Sequence, residues 1–196
     1  DSDDHQSLGM AGYRKWLHGD LAGSLRLCQL ALESEPSNNV NKRDVGFGLI
    51  ELFEPERALE IDTPRVRILA LQRLGRTEEA TILGLEQAAT GRLVPEFFQV
   101  LVENGEHAKL IEFVESRWPD LDDFEALYPG RGGIGSPLMG FIAESYGKLG
   151  KEAQFNDAMA RFKAALDQQL TQGANNPYVH FSQAIYAVLA GDDEKA

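Results

Sequence analysis

The amino-acid sequence predicts an all-α protein built from helical hairpins. Apolar residues recur at helical spacing along nearly all of its 196 residues, and no segment shows the alternating pattern of a β-strand. In addition, a junction recurs in which an apolar helical pattern ends at a glycine, a polar residue follows, and a second helical pattern begins. Repeated junctions of this kind are typical of repeat proteins, whose hairpins pack on one another.

Each of these junctions suits the end of a helix. Glycine reaches positive φ without steric cost and is therefore favoured just after a helix, whereas acidic and hydroxyl residues favour the first turn of the next helix. The junctions lie at Gly19, Gly75, Gly105, Gly150 and Gly191. They predict a solenoid of about five antiparallel helical hairpins.

The intervals between these glycines are unequal, so the predicted array is irregular. The long interval between Gly19 and Gly75 has room for a degenerate hairpin. Its first helix would lie in VNKRDVGFGLIELF, and its second would be the short PERALEI, opened by Pro55. Proline suits the first helical position because its missing N–H would have no partner there.

Residues 120–136 lengthen another interval, and we interpret them as a loop inserted between hairpins. We treat residues 1–196 as a single repeat domain and expect it to be a fragment of a longer protein. The segment GDDEKA begins a helix that stops after a few residues, whereas a terminal repeat normally ends in a polar cap. We therefore expect the helix over residues 178–189 to expose an apolar flank.

The first hairpin, LGMAGYRKWLHGDLAGSLRLCQLALESEPSN, resembles a tetratricopeptide repeat. In that family small residues mark the points where helices cross, a Gly-Asp pair forms the turn, and a proline closes the second helix. The corresponding residues here are the small Gly12, Ser24 and Ala31, the turn Gly19-Asp20, and Pro36.

The last repeat matches this pattern in the same register, and the middle of the chain departs from it. The matching residues are Ala184, Gly191-Asp192 and Ala196. Larger residues fill the small positions elsewhere, namely Gln87, Phe98, Leu110 and Phe155.

This resemblance implies a right-handed solenoid whose first helices line a concave groove. Such a groove binds an extended peptide or a partner helix. The family's groove positions fall here on Tyr13, Trp16, Arg65, Gln72, Arg73, Gln99, Glu103, Glu144, Lys148, Tyr178, Phe181 and Ile185. The set lacks the particular combination of Lys, Asn and Arg with which tetratricopeptide clamps hold a chaperone's C-terminal carboxylate. We therefore expect a protein-interaction module with a different partner.

Two segments, AESYGKLGKEA and FSQAIYAVLAGDDEKA, resemble the C-terminal repeat regions of bacterial winged-helix transcriptional regulators. This second resemblance implies that the chain is the sensory or oligomerising part of such a regulator, and an exposed solenoid end favours a homodimer. The cytoplasm is the expected compartment, and the periplasm is the alternative if the parent is membrane-anchored. A repeat domain attached to a signalling enzyme is a further alternative.

The composition is that of a folded protein with a strong negative charge. Asp and Glu number 31 against 19 Lys and Arg, which gives a formal net charge of −12. This charge repels phosphate backbones and anionic lipid, so we expect no direct contact with nucleic acid. No apolar run approaches the roughly 18 residues of a membrane-spanning helix.

The motif GRGGIG, Gly130–Gly135, has the spacing of a dinucleotide-binding loop. That loop must follow a buried strand and begin a helix. Here the preceding residues, DDFEALYP, are polar-amphipathic and end in Pro129, which does not suit a central strand. We interpret the motif as a flexible loop, and the alternative is a small-molecule-sensing domain that uses it as a lid.

No other reactive residue forms a recognisable catalytic or metal-binding pattern. Cys28 falls on an apolar helix face, where a buried structural thiol is expected. The histidines His5, His18, His107 and His180 have no spacing that builds a metal site. We therefore predict no catalytic residue, no metal and no cofactor.

Overall fold

A computed structural model describes residues 4–90, 95–127, 135–173 and 177–191. Within these ranges every regular element is an α-helix, in agreement with the predicted all-α class. None of the helices there is both long enough and apolar enough to cross a membrane. The chain divides into two compact units, Asp1–Val100 and Leu101–Ala196.

The first unit packs its helices mainly against their neighbours in sequence. Its helices are α1 (Asp4–Leu17), α2 (Leu21–Ser34), α3 (Asn39–Glu51), α4 (Pro55–Ala58), α5 (Pro64–Arg73), α6 (Thr77–Ala89) and the start of α7 (Pro95–Glu103). Helix α2 lies between α1 and α3, and α5 contacts α3, α4 and α6. An apolar cluster joins α2, α3, α4 and α5 through residues such as Leu25, Val45, Ala58 and Val66.

The second unit is organised around one central helix. Its helices after α7 are α8 (His107–Arg117), α9 (Leu121–Leu127), α10 (Gly135–Lys148), α11 (Glu152–Thr171) and α12 (Pro177–Leu189). Helix α10 packs against α8, α11 and α12, and α11 also contacts α12. Phe162 of α11, which is fully buried, and Gly140 of α10 meet at this packing.

The five junction glycines take the left-handed conformation that the sequence predicted. Their φ values lie between 69° and 77°. At Gly19, the backbone N–H of Asp20 donates to the carbonyl of Lys15 at 3.0 Å, and that of Gly19 donates to Trp16 at 2.9 Å. This pair of bonds satisfies carbonyls that the helix end leaves open, and it repeats at Gly75, Gly105 and Gly150.

The degenerate hairpin predicted between Gly19 and Gly75 is present, and it differs from the others in the residue at its turn. Helix α3 and the short α4 are present, and Pro55 occupies the start of α4 as predicted. The same bonding pattern closes α3, since the N–H of Glu54 donates to the carbonyl of Leu49 at 2.9 Å. The left-handed residue of this turn is Phe53, with φ of 60°, and its side chain is 91% exposed.

The predicted small residues of the first hairpin are buried, and Gly12 lies where α1 and α2 approach each other. Gly12, Ser24 and Ala31 are all buried. A Cβ atom at Gly12 would lie 2.9 Å from the Sγ of Cys28 and 3.3 Å from the carbonyl oxygen of Ser24. Helices α1 and α2 therefore approach closely at this point, and a side chain at position 12 would require Cys28 and the backbone near Ser24 to shift.

The inserted segment 120–136 contains helix α9 in its first half. Phe124 of α9 is fully buried, and its ring packs edge-on against Trp118 with 5.1 Å between centroids. Arg161 of α11 donates to the carboxylates of Asp122 and Glu125 and so ties α9 to α11. Residues 128–134, which hold most of the Gly130–Gly135 motif, lie outside the described part of the chain.

We expect Phe53→Gly to raise the free energy of unfolding by about 1 kcal/mol. An L-residue in the left-handed region costs roughly 1–2 kcal/mol, which glycine avoids at some cost in unfolded-state entropy. Urea denaturation measures the change. The converse variant, Gly75→Ala, should lower stability by a similar amount through the backbone alone, because no neighbouring atom lies within 4 Å of the added Cβ. A less stable Phe53→Gly would contradict this explanation.

Candidate functional site

The predicted groove residues of α1 form an aromatic pair on its surface. The rings of Tyr13 and Trp16 stack with 5.9 Å between centroids and an angle of 20° between planes. Tyr13 is 40% exposed, and Trp16 is half-buried. Met10 and Leu17, at 57% and 44% exposure, share the helix face of Tyr13 because the three residues follow an i, i+3, i+7 pattern. This apolar surface of Met10, Tyr13, Trp16 and Leu17 is called the α1 stripe below.

Arg65 of α5, which is half-buried, forms an ion pair with the buried Glu96. Its Nε donates to Oε2 of Glu96 at 2.8 Å, and its Nη2 donates to Oε1 of the same carboxylate. The guanidinium also lies over the ring of Phe47, 5.7 Å from the centroid. Glu96 is only 7% exposed. The structure therefore places Arg65 in the packing between α5 and α7, a role that the sequence analysis did not assign to it.

The other predicted groove residues of the first unit are polar and lie on α5 and α7. Gln72 and Gln99 are half-buried, whereas Arg73 is exposed at the end of α5. Among the predicted residues of this unit, Tyr13 and Trp16 are in mutual contact.

The predicted residues of the second unit are spread over three helices. Glu103 and Lys148 are exposed, and Glu144 is half-buried. On α12, Phe181 is 51% exposed, whereas Ile185 packs toward Gly140 of α10. The side chain of Tyr178 lies outside the described part of the structure.

Helix α12 exposes the apolar flank that the sequence predicted. Phe181 and Val188, seven residues apart, are 51% and 58% exposed, so they lie on one face of the helix. Residues 192–196, which include Asp192 and Ala196 of the predicted last turn, lie outside the described ranges.

The cysteine and the histidines make contacts within the fold. Cys28 is buried at 5% exposure, and this burial, together with the charge of Asp44, raises the pKa of its thiol. His5 pairs with Glu35 at 2.8 Å, and His180 contacts Gln183 at 3.1 Å. Across the described ranges no three His, Cys, Asp or Glu side chains are grouped as metal ligands would be.

A polar cluster within the second unit was not predicted from the sequence. The Nδ1 atom of His107 lies 3.1 Å from the hydroxyl oxygen of Ser145, which is fully buried. On the same helix, the hydroxyl of Tyr146 donates to Glu115 at 3.4 Å. Lys151 donates to that carboxylate at 3.0 Å. Burial and the negative charge of Glu115 raise the pKa of Tyr146 to about 12.

Little in the sequence indicates that Glu96 and Ser145 are buried and paired. Glu96 follows Pro95 at a helix start, where an acidic residue is ordinary, and its partner lies 31 residues away. Ser145 is a small residue in an apolar helix, and its partner His107 lies 38 residues away. Local periodicity identifies neither partnership, because both depend on which helices pack together.

Compared with models of protein families, with curated protein sequences and with solved structures, the chain shows no significant match.

We expect Arg65→Met to lower the free energy of unfolding by about 3 kcal/mol, because it leaves the buried Glu96 carboxylate without its partner. Chemical denaturation measures the loss. The double variant Arg65→Met/Glu96→Leu should recover most of it, since no charge is then left buried. The control Arg76→Met breaks the exposed pair with Glu79 and should change stability little. Equal losses in the single and double variants would show that packing, rather than the unpaired charge, is responsible.

We expect unfolding free energy to fall as the pH rises from about 10 to about 12, in part because of Tyr146. An unfolded tyrosine ionises near pH 10, whereas Tyr146 in the folded protein keeps its proton to about pH 12. In this interval the folded state binds more protons, so its stability falls with rising pH. Denaturation at a series of pH values should show a shallower fall in Tyr146→Phe. An unchanged slope in that variant would contradict the assignment.

Proposed function

We propose that the chain is a non-catalytic protein-interaction module in which stacked helical hairpins present their first helices to a peptide or partner helix. The observation that carries this proposal is the α1 stripe. It combines a stacked aromatic pair with two exposed aliphatic side chains on one helix. Aromatic residues are enriched at the centres of protein interfaces, where they fill pockets of the partner.

The contacts between helices support stacking of the hairpins within each unit. In the first unit α3 contacts α5, and in the second α10 contacts α12. These helices are the first members of consecutive hairpins in the proposed array. In a tetratricopeptide-like solenoid such first helices lie side by side along the inner face. A binding surface would then be continuous from one hairpin to the next within a unit.

The resemblance to bacterial winged-helix regulators extends this proposal to the parent protein. In it, the chain serves as the sensory or oligomerising part of a transcriptional regulator or another signalling protein. This extension is supported by sequence resemblance alone.

We expect peptides selected on the wild-type chain to lose affinity at least about tenfold in Tyr13→Ala, because the variant removes an exposed aromatic anchor. The peptides come from a display library of amphipathic helices, and their affinities are measured by fluorescence anisotropy. The double variant Trp16→Ala/Arg73→Glu should weaken the same peptides. Val40→Ala removes an exposed apolar side chain from α3 and serves as the control. Unchanged affinities in both groove variants, with normal circular dichroism, would refute the proposal.

A further inference from the structure

A pocket of about 510 Å³ opens on the first unit where α2, α3 and the segment beginning at α4 meet. Its apolar lining is formed by Leu32, Pro36, Val45, Leu49 and Ile61. Val45 and Leu49 are only 4% and 3% exposed and form the floor, which is continuous with the apolar cluster of this unit. A pocket of this volume is in the range that ligands or inserted side chains occupy.

The length of α4 explains why the pocket exists. Helix α4 has four residues, whereas the second helices of the hairpins on either side, α2 and α6, have 14 and 13. A second helix of ordinary length would continue beyond Ala58 alongside α2 and α3. The chain instead turns away toward Thr63, which precedes α5. The pocket therefore occupies a place that helical turns fill in the neighbouring hairpins.

The rim of the pocket is acidic. Gln29, Glu33, Arg57 and Glu60 line it. Arg57 pairs with Glu54, so its charge is already compensated. Glu33 and Glu60 form no ion pair in the described part of the chain. Two carboxylates beside an apolar floor favour a ligand that carries both apolar and basic groups.

We propose that this pocket binds a short amphipathic helix of a partner protein, which places apolar side chains against Val45 and Leu49 and Lys or Arg beside Glu33 and Glu60. The inference rests on the proposed function of protein recognition and assigns it a second site with a defined partner chemistry. A helix suits the pocket because the cavity stands open to solvent and replaces missing helical turns. A second copy of the chain suits it poorly, since its net charge of −12 repels the acidic rim.

The test uses two helical peptides with the same pair of leucines at i and i+4, flanked by lysines in one peptide and by glutamates in the other. Fluorescence anisotropy with the full chain should show at least about tenfold tighter binding of the lysine peptide, and rising salt should weaken it. Glu33→Lys/Glu60→Lys should reverse the preference. The control Glu78→Lys/Glu86→Lys makes the same charge change on the exposed face of α6 and should leave the preference unchanged.

A second variant tests occupancy of the pocket itself. Gln29→Trp places a large ring at the rim and should abolish binding of the lysine peptide, with helical circular dichroism unchanged. The proposal is overturned if the two peptides bind wild type equally or not at all, or if binding survives in Gln29→Trp. It is also overturned if sedimentation shows that the wild-type chain is a dimer and that Gln29→Trp is a monomer, because a second copy of the chain then occupies the pocket. The broader proposed function stands in these cases if selected peptides still depend on Tyr13.

Discussion

The hairpin turn at a left-handed residue is the constraint on which the rest of the structure depends. An α-helix leaves its last carbonyls without partners, and a single residue at positive φ directs its own N–H and that of the following residue back onto them. At Gly19, Gly75, Gly105 and Gly150 this bonding both ends one helix and directs the chain into the next. The position of each glycine thereby determines the length of the helix before it, and with it the surface available to the neighbouring helix.

This locality explains which parts of the fold the sequence could predict. The five junctions, the short helix after Pro55, the burial of Cys28 and the close crossing at Gly12 all follow from a few adjacent residues. The left-handed conformation of Phe53 could not be predicted from adjacent residues, because a bulky residue rarely adopts it and only the surrounding helices hold it there. The partners of Arg65 and Ser145 depend on helix packing over more than 30 residues of chain. A groove assignment made position by position therefore could not separate Arg65, which stabilises the packing of α5 on α7, from Tyr13, which faces solvent.

The same distinction separates the α1 stripe, which we propose as a binding surface, from the ion pair of Arg65 and Glu96. A residue whose polar atoms already form hydrogen bonds inside the protein has few left to bind a ligand, and replacing it mainly affects stability. A residue such as Tyr13, with its ring partly exposed and held in place by Trp16, can contact a partner at a low cost in conformational entropy. Exposure together with local order is thus a better guide to an interaction surface here than a family position taken alone.

The hairpin of α3 and α4 combines two departures from the pattern of its neighbours. Its turn uses Phe53 where the other junctions use glycine, and its second helix stops after four residues. The left-handed Phe53 strains the backbone and so costs stability. The short second helix leaves a pocket beside the buried Val45 and Leu49. Because most proteins lie only slightly above the stability that they need, local departures from an otherwise regular pattern tend to be retained at functional sites. Both departures occur in the hairpin that holds the pocket, and this coincidence supports the binding site that we propose there.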